Sequence, residues 1–183
     1  MKKNLFVVLE GVDGCGKTTV SEELALILSA TLIKTPLPDQ DCLRVAYDHD
    51  TCMTARYLFY LSCVLSASQK IKEILPRGNV ICDRYLLSSV CYHKAMGVDM
   101  TIVETNRLDI IVPDFTFCLM ASPEIRELRL KRRNSSGKTI EDNHDLLEAV
   151  QLDFMANIEY IVDTTDTSPK EAANIVASYL PNI

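Results

Sequence analysis

Residues 11–18 are Gly11-Val12-Asp13-Gly14-Cys15-Gly16-Lys17-Thr18, and the class of fold follows from this segment and its two flanks. Before it, residues 5–9 form a continuous apolar run, which is typical of a central parallel strand covered on both faces. After it, apolar residues recur at helical spacing, at Val20, Leu24, Ile27 and Leu28. A strand, a glycine-rich loop and a helix in this order, with the pattern G-x-x-x-x-G-K-[ST], indicate a loop that wraps the phosphates of a nucleotide.

The residue types in this loop suit an anion. Glycine lets backbone N–H groups converge on a phosphate, and the following helix directs its positive dipole end to the same place. Lys17 can follow the β- and γ-phosphates, and the Thr18 hydroxyl can bind Mg²⁺, so we expect ATP and Mg²⁺ as cofactors. The predicted cofactor-binding residues are Gly11, Asp13, Gly14, Cys15, Gly16, Lys17, Thr18 and Thr19.

The composition predicts a soluble, cytoplasmic protein. In 183 residues, 19 Lys plus Arg against 25 Asp plus Glu give a net charge of −6, which disfavours binding to a nucleic-acid polymer or an anionic membrane. The first apolar run ends at Glu10, too short for a signal peptide or a membrane span. The seven cysteines include no pair at two-residue spacing, which predicts reduced thiols packed in the core.

The rest of the chain alternates strands and helices. Apolar segments predict further strands at 31–34, 79–82, 115–120 and 159–162. Helices are expected at about 51–75, up to residue 93, at about 100–110, after Ser122-Pro123, and after the capping box at 168–171. This alternation predicts one α/β domain over residues 1–183, with helices on both faces of a parallel sheet.

Asp83-Arg84-Tyr85 follows the third predicted strand and would lie at the same sheet edge as the glycine loop. There Asp83 can hold Mg²⁺ beside Thr18, and Arg84 can bind a second phosphate with its bidentate fork. An ion pair between Asp83 and Arg84 that merely caps the strand is the alternative.

A cluster of basic residues precedes the small polar segment 134–138: Arg126, Arg129, Lys131, Arg132 and Arg133. Five like charges in so short a stretch fit a lid at about 126–142 that closes over ATP and excludes water. A solvated helix face paired with nearby glutamates is the alternative. The N-K-x-D motif of signalling GTPases and the L-S-G-G-Q motif of ABC-type ATPases are both absent from the sequence.

Taken together, the chain resembles the thymidylate kinase family of P-loop nucleoside-monophosphate kinases over nearly its whole length. The segments that carry the resemblance are 8–19, Lys34-Thr35-Pro36, Asp83-Arg84-Tyr85, 88–92, Pro113-Asp114 and the basic cluster. The resemblance implies ATP-dependent phosphorylation of a pyrimidine deoxynucleoside monophosphate, dTMP to dTDP, with Mg²⁺ and as a homodimer. It also implies a P-loop kinase fold, a five-stranded parallel sheet of order 2-3-1-4-5 flanked by helices, with a short lid.

By position, the resemblance also implies roles for individual residues. Asp13 would face the sugar hydroxyl of the acceptor, Arg84 and Lys34 its phosphate, and Tyr92 its deoxyribose. The implied catalytic residues are Lys17, Arg84 and the lid arginines Arg129 and Arg133. The implied substrate-binding residues are Asp13, Lys34, Leu65, Gln69, Arg84, Ser88, Tyr92 and His93.

The chain departs from the family where the acceptor is recognised. Lys34-Thr35-Pro36 replaces Arg-Glu-Pro, and a lysine lacks the fork of an arginine. An ungapped alignment puts Leu65 and Gln69 where the family has a Phe that stacks on the base and an Arg that bonds it, and His93 replaces a Gln. Either the acceptor base differs, or the alignment is one turn out of register and Phe59 or Tyr60 stacks on the base.

Two other functions stay open at this point. One is a kinase for a different small acceptor, either a modified pyrimidine nucleotide or a nucleoside. A nucleoside kinase needs a carboxylate base, for which Glu10, Asp39 and Asp41 are the candidates. The other is a nucleotide-binding regulator without phosphoryl transfer.

Overall fold

The computed structural model describes residues 4–49, 52–132 and 143–181. At its centre, five parallel strands form a sheet of order β2-β3-β1-β4-β5, as predicted. The strands are β1 Phe6–Glu10, β2 Thr31–Lys34, β3 Val80–Asp83, β4 Phe115–Met120 and β5 Tyr160–Asp163. Helices cover both faces, and within the described ranges they are α1 Lys17–Ile27, α2 Asp41–Asp48, α3 Met53–Ile74, α4 Leu86–Ala95, α5 Pro123–Arg132, α6 His144–Asn157 and α7 Pro169–Ser178.

The continuous apolar run of β1 is explained by cover on both faces of the sheet. Val7 and Leu9 pack with residues of α1 and α7, whereas Phe6 and Val8 pack with residues of α3. Beyond α3 on the same face, α4 and α6 enclose a further apolar cluster that includes Phe154. Since alternate residues of β1 point to opposite faces, each residue of the run is buried.

Parallel pairing aligns the carboxyl ends of the central strands. In the register of β1 with β3, Leu9 lies beside Asp83, and in that of β2 with β3, Lys34 lies beside Asp83. The loop after β1, the Asp83-Arg84 turn after β3 and the end of β2 therefore meet at one edge of the sheet. That edge is where ligands bind in open α/β sheets.

The helix predicted at about 100–110 is wrong. The segment contains only two short 3₁₀ helices, Met100–Ile102 and Thr105–Arg107, with Val103 extended between them. The Asp99 carboxylate accepts a hydrogen bond from the Thr101 N–H at 2.9 Å, which favours a local turn over helix propagation. Conversely, α2 was not predicted.

The last helix begins as predicted, with a capping box between Ser168 and Glu171. Its inner face is formed by Ala172, Ala173 and Val176 rather than by the larger apolar residues, because Ile175 and Tyr179 are exposed. Five of the seven cysteines are buried, in keeping with the prediction, namely Cys15, Cys63, Cys82, Cys91 and Cys118. In the part of the chain that the structure covers, no helix has the length and hydropathy needed to cross a bilayer.

Candidate active site

The glycine-rich loop connects β1 to α1 and has a backbone that other residues would not adopt easily. Gly14 has a φ of +83°, and a Cβ there would lie 2.8 Å from the carbonyl oxygen of Arg126 at the start of α5. Gly16, with a φ of +91°, ends the loop, and α1 begins at the next residue, Lys17. The first backbone N–H groups of α1 are therefore available to an anion held by the loop.

Lys17 is only 5% exposed and its ammonium lies inside the loop. The Lys17 Nζ donates a hydrogen bond to the Val12 carbonyl oxygen at 2.8 Å and lies 3.9 Å from Asp13 Oδ1. The lysine thus already occupies the concave side of the loop, where phosphates would bind.

Arg84 faces the glycine loop from the end of β3. Its Nη2 forms an ion pair with Asp13, and its Nη1 donates to Ser88 Oγ at 3.3 Å. Arg84 therefore pairs with Asp13 in the loop, and not with its neighbour Asp83 as the strand-capping alternative supposed. Arg84 also has a φ of +67°, a conformation that costs a non-glycine residue free energy and is enriched at functional sites.

Asp13 thus lies between two cations, Lys17 and Arg84. Burial opposes ionisation of this carboxyl, but the Arg84 guanidinium and the Lys17 ammonium together lower the pKa of Asp13 to about 2. The Tyr92 hydroxyl donates a further hydrogen bond to Asp13 Oδ2 at 3.4 Å, and the Arg84 guanidinium lies 5.5 Å from the centroid of the Tyr92 ring. One carboxylate holds together residues from the loop, from β3 and from α4.

Thr18 and Asp83 meet beside this cluster. The Thr18 Oγ1 donates to Asp83 Oδ2 at 2.7 Å, whereas Asp83 Oδ1 is buried and has no hydrogen-bond partner in the described part of the chain. A hydroxyl and a carboxylate with a spare buried oxygen suit Mg²⁺, which binds hard oxygen ligands and usually only one or two from the protein. The described residues contain no cluster of three or more His, Cys, Asp or Glu side chains that could hold a metal by themselves.

Glu10, at the end of β1, supports the start of α4. Its fully buried carboxylate accepts hydrogen bonds from the Tyr85 N–H at 3.0 Å and the Ser88 N–H at 3.2 Å, and from the Ser88 hydroxyl. Burial raises the pKa of Glu10. Sequence reasoning considered Glu10 only as a catalytic base, and the other two candidates for that role, Asp39 and Asp41, are exposed.

The predicted base-contacting residues do not all lie together. Gln69 is exposed and Leu65 half-buried on α3, whereas two aromatic residues of α3, Tyr57 and Tyr60, lie beside His93, with ring centroids 5.2 and 5.4 Å from the imidazole. Another α3 residue, Phe59, stacks on Tyr47 of α2 at 4.6 Å, with the rings 3° apart. Tyr60 thus lies beside His93, whereas Phe59 is already stacked on Tyr47, and the residue that stacks on the base stays a prediction. Lys34 is exposed at the end of β2, next to Asp83 in the sheet.

Arg129 of α5 is bound to the back of the loop. Its guanidinium donates to the Gly14 carbonyl oxygen at 3.3 Å and to the Thr164 carbonyl oxygen at 2.6 Å. The Thr164 hydroxyl in turn donates to the Cys15 carbonyl oxygen at 2.8 Å. Sequence reasoning missed Thr164, although its position directly after β5, at the carboxyl edge of the sheet, was a usable signal.

The other residues of the basic cluster differ in their surroundings. Lys131 pairs with Glu127 at 2.8 Å on the exposed side of α5, and Arg132 is also exposed, as in the solvated-face alternative. Arg126 is half-buried where its backbone packs on Gly14. Arg133 and residues 134–142 of the predicted lid lie outside the described residues.

The glycine loop, the Thr18–Asp83 pair and the opposing Arg84, on a parallel sheet of order 2-3-1-4-5, define a P-loop kinase of the type that phosphorylates nucleosides and nucleotides. The family model for thymidylate kinase matches residues 9–175. A probable thymidylate kinase from Methanocaldococcus jannaschii is 32% identical over 193 aligned residues, covering 100% of this chain and 99% of that protein. The chain belongs to the thymidylate kinase family and is a nucleoside-monophosphate kinase.

Solved structures share the fold. A thymidylate kinase from Candida albicans superposes with a TM-score of 0.76 at 22% identity, covering 97% of this chain and 91% of that one. A deoxyadenosine kinase from M. mycoides superposes with a TM-score of 0.72 at 19% identity, covering 96% of this chain and 98% of that one. The fold thus accommodates both nucleotide and nucleoside kinases, and the acceptor must be inferred from the site.

Proposed function

We propose that the protein transfers the γ-phosphoryl group of ATP to a pyrimidine deoxynucleoside monophosphate, with dTMP as the acceptor and dTDP and ADP as products. The observation that carries this proposal is the convergence of Lys17 and Arg84 on the Asp13 carboxylate. Two cations that meet at one carboxylate, one from the glycine loop and one from the end of β3, suit two phosphate groups brought end to end. The names of the relatives support dTMP as the acceptor.

On the donor side, the N–H groups of the glycine loop and the start of α1 would bind the phosphates of ATP, with Lys17 at the β- and γ-phosphates. Thr18 and Asp83 would hold Mg²⁺, which when bound neutralises charge on the β- and γ-oxygens. Arg129, bound to Gly14 and Thr164, would border the nucleoside end of ATP. The implied role of Arg133 stays a prediction.

On the acceptor side, Arg84 and Lys34 would bind the monophosphate, and Tyr92 would line the deoxyribose beside Asp13. Ser88, which accepts from Arg84, would hold that guanidinium in place. An oxygen of the acceptor phosphate attacks the γ-phosphorus in line while the bond to the bridging oxygen of ADP breaks. Because that attacking oxygen is already ionised, no protein base is needed.

The contacts of Glu10 speak against a nucleoside kinase. A base that deprotonates a sugar hydroxyl needs a free carboxylate oxygen, and both oxygens of Glu10 are engaged by Tyr85 and Ser88. Asp39 and Asp41 are exposed on the segment that precedes and begins α2.

ADP release from ATP and Mg²⁺ is the decisive assay, run over a panel of nucleosides and nucleoside monophosphates with Lys17→Ala as the blank. We expect strong turnover with dTMP and none with thymidine. Turnover confined to nucleosides, or tight ATP binding with no turnover of any acceptor, contradicts the proposal and supports a nucleoside kinase or a regulator respectively. The homodimer that the family resemblance implies is a separate proposal, and light scattering tests that oligomeric state.

A further inference from the structure

A buried hydroxyl behind the glycine loop, that of Thr164, has no part in the phosphoryl transfer proposed above. Thr164 directly follows β5 and is 2% exposed. Its backbone N–H donates to the Met120 carbonyl oxygen at the end of β4 at 2.8 Å. Its hydroxyl lies 2.8 Å from the carbonyl oxygen of Cys15, a residue of the loop that is 149 positions away in sequence. This long-range contact needs an explanation of its own.

The hydroxyl hydrogen of Thr164 is directed to Cys15. A hydroxyl has one hydrogen to donate, and two carbonyl oxygens lie within reach, that of Cys15 at 2.8 Å and that of Met120 at 2.9 Å. The Met120 oxygen already accepts from the Thr164 N–H. The Arg129 guanidinium donates to the Thr164 hydroxyl oxygen at 3.1 Å. That oxygen therefore accepts from Arg129 while its hydrogen is donated to Cys15.

This contact fixes the direction of one peptide group of the loop. The Cys15–Gly16 peptide is trans, so its C=O and its N–H point in opposite directions. Because Thr164 holds the carbonyl oxygen on the outer side of the loop, the Gly16 N–H points to the inner side. Lys17 lies on that inner side, where the phosphates would bind.

The preceding peptide group is held in the same way. Arg129 Nη1 donates to the Gly14 carbonyl oxygen at 3.3 Å. At the other end of this peptide, the Cys15 N–H is directed to the Val12 carbonyl oxygen at 3.4 Å, and Lys17 Nζ donates to the same oxygen at 2.8 Å. Two successive N–H groups of the loop thus face its inner side, an arrangement that binds anions.

The position of Thr164 is fixed by the turn that contains it. The Asp163 carboxylate accepts hydrogen bonds from the Thr165 N–H at 2.8 Å and from the Thr165 hydroxyl at 2.6 Å. Thr165 Oγ1 in turn accepts from the Ser122 N–H at 3.0 Å, just before α5. The Thr164 hydroxyl therefore acts on the loop from a turn that is held in place by contacts of its own.

The glycines of the loop make such support from outside necessary. Gly14 and Gly16 flank Cys15 with φ values of +83° and +91°, and glycine adopts positive and negative φ with similar ease. A reversal of the Cys15–Gly16 peptide would present a carbonyl oxygen to the phosphates instead of an N–H, and this oxygen would repel them. The glycines that let N–H groups converge thus also permit an arrangement that does not bind.

We propose that Thr164 is a positioning residue for the phosphoryl donor. Its hydroxyl, together with Arg129, holds the loop in the arrangement in which the N–H groups of Cys15 and Gly16 face the phosphates of ATP. The hydroxyl acts through the Cys15 carbonyl and not on a reacting atom. The inference rests on the proposed function, because it takes ATP as the ligand of the loop.

The test is Thr164→Val, which keeps the shape of the side chain and removes the hydroxyl. Calorimetric titration with ATP and Mg²⁺, without an acceptor, should give a Kd about 10-fold above that of the wild type, since the peptide is no longer held. Thr164→Ser, which retains the hydroxyl, should bind ATP within about 2-fold of the wild type. The matched control is Thr167→Val, because the Thr167 hydroxyl is buried after the same strand but has no hydrogen-bond partner among the described residues. This control should keep the wild-type Kd.

Steady-state kinetics give a readout that a general loss of stability would not produce. In Thr164→Val the KM for ATP should rise about 10-fold, while the KM for dTMP should stay within about 2-fold. An equal rise in both KM values overturns the inference, and so does a wild-type Kd for ATP in a folded Thr164→Val.

Thermal unfolding shows whether each variant folds. If Thr164→Val does not fold, Thr164→Ser decides: a wild-type Kd for ATP supports the role of the hydroxyl, and a Kd about 10-fold higher in the folded serine variant overturns it. Because the titration needs no acceptor, failure of the wild-type protein to phosphorylate any nucleoside monophosphate contradicts the proposed function and leaves the comparison of Kd values intact.

Discussion

The phosphate side and the base side of the cleft differ in how far their polar groups are already paired. At the phosphate side, the Asp13 carboxylate pairs with both Lys17 and Arg84, and Arg84 also donates to Ser88. At the base side, His93 and Arg56 each keep one buried nitrogen without a partner in the described chain. The phosphate side is therefore preorganised by internal charge pairs, whereas the polar groups between α3 and α4 are only partly paired within the described chain.

This difference predicts that substitutions on the phosphate side mainly change kcat, whereas substitutions on the base side mainly change the selectivity between acceptors. Preorganised charges at the phosphates act on the transferring group and should govern kcat for every acceptor. Polar groups that contact the base discriminate between bases, and they should govern the ratio of kcat/KM values between acceptors. Substitutions on the two sides should therefore have different kinetic signatures.

The largest effect is expected from Lys17→Ala, which should lower kcat for dTMP by about 10³-fold, because a buried cation at the transferring phosphoryl group is lost. The loss should be the same for all acceptors. Steady-state ADP release measures it, and Lys70→Ala, an exposed lysine on α3, serves as the control. A loss of kcat that differs between acceptor bases would contradict the expectation that the phosphate side acts equally on every acceptor.

Arg84→Lys should lower kcat/KM for the acceptor by about 10²-fold, since a lysine has no bidentate fork and cannot bond Asp13 and Ser88 together. The KM for ATP should stay within about 2-fold, because the donor loop keeps Lys17. Kinetics in which the concentrations of both substrates are varied measure the KM for ATP and the kcat/KM for the acceptor separately. Arg77→Lys, exposed at the end of α3, is the control, and an equal rise in both KM values would show that Arg84 acts on the donor as well.

Glu10→Gln tests the support of the phosphate side through its pH dependence. Burial raises the pKa of Glu10 above its ordinary value of 4.5, so the folded protein holds this proton more tightly than the unfolded chain. The free energy of unfolding should therefore decrease as pH rises from about 4.5 toward neutrality, and the glutamine should remove this part of the decrease. Urea denaturation between pH 4.5 and 8 measures the slopes, with the exposed Glu73→Gln as control; parallel curves for wild type and Glu10→Gln would refute the expectation.

The smallest effect is expected from Gln69→Ala. Gln69 is exposed on α3, so its removal should change the KM for dTMP and the dTMP to dCMP ratio by less than about 2-fold. Initial rates with both acceptors measure this. A larger change would support the sequence-based prediction that Gln69 contacts the base.

Much of the phosphate side was predictable because its signals are local in sequence. The glycine loop lies within residues 11–18, and the meeting of Thr18 with Asp83 follows from two neighbouring parallel strands that end at the same edge. The order of the strands was predicted from the family resemblance and is confirmed by the structure. These features depend on backbone connectivity and on small or charged residues with few structural alternatives.

The base-contacting residues stay a prediction, because the α3 positions that face α4 depend on the rotation of one long helix. A shift of one turn in the alignment of α3 exchanges Leu65 and Gln69 for residues such as Phe59 and Tyr60, and hydrophobic spacing does not distinguish the two registers. Only the packing of α3 against α4 shows that Tyr57 and Tyr60 lie beside His93.

The carboxylate of Asp13 should also affect how strongly small anions such as inorganic phosphate and sulfate bind at this site. It acts as a built-in counter-ion, so Lys17 and Arg84 do not form a bare pair of positive charges for inorganic phosphate or sulfate to neutralise. A single small anion must compete with a tethered one at very high local concentration. A nucleotide gains additional contacts along its length and can overcome that competition. We therefore expect weak inhibition by phosphate and sulfate, a tolerance that follows from where one aspartate lies.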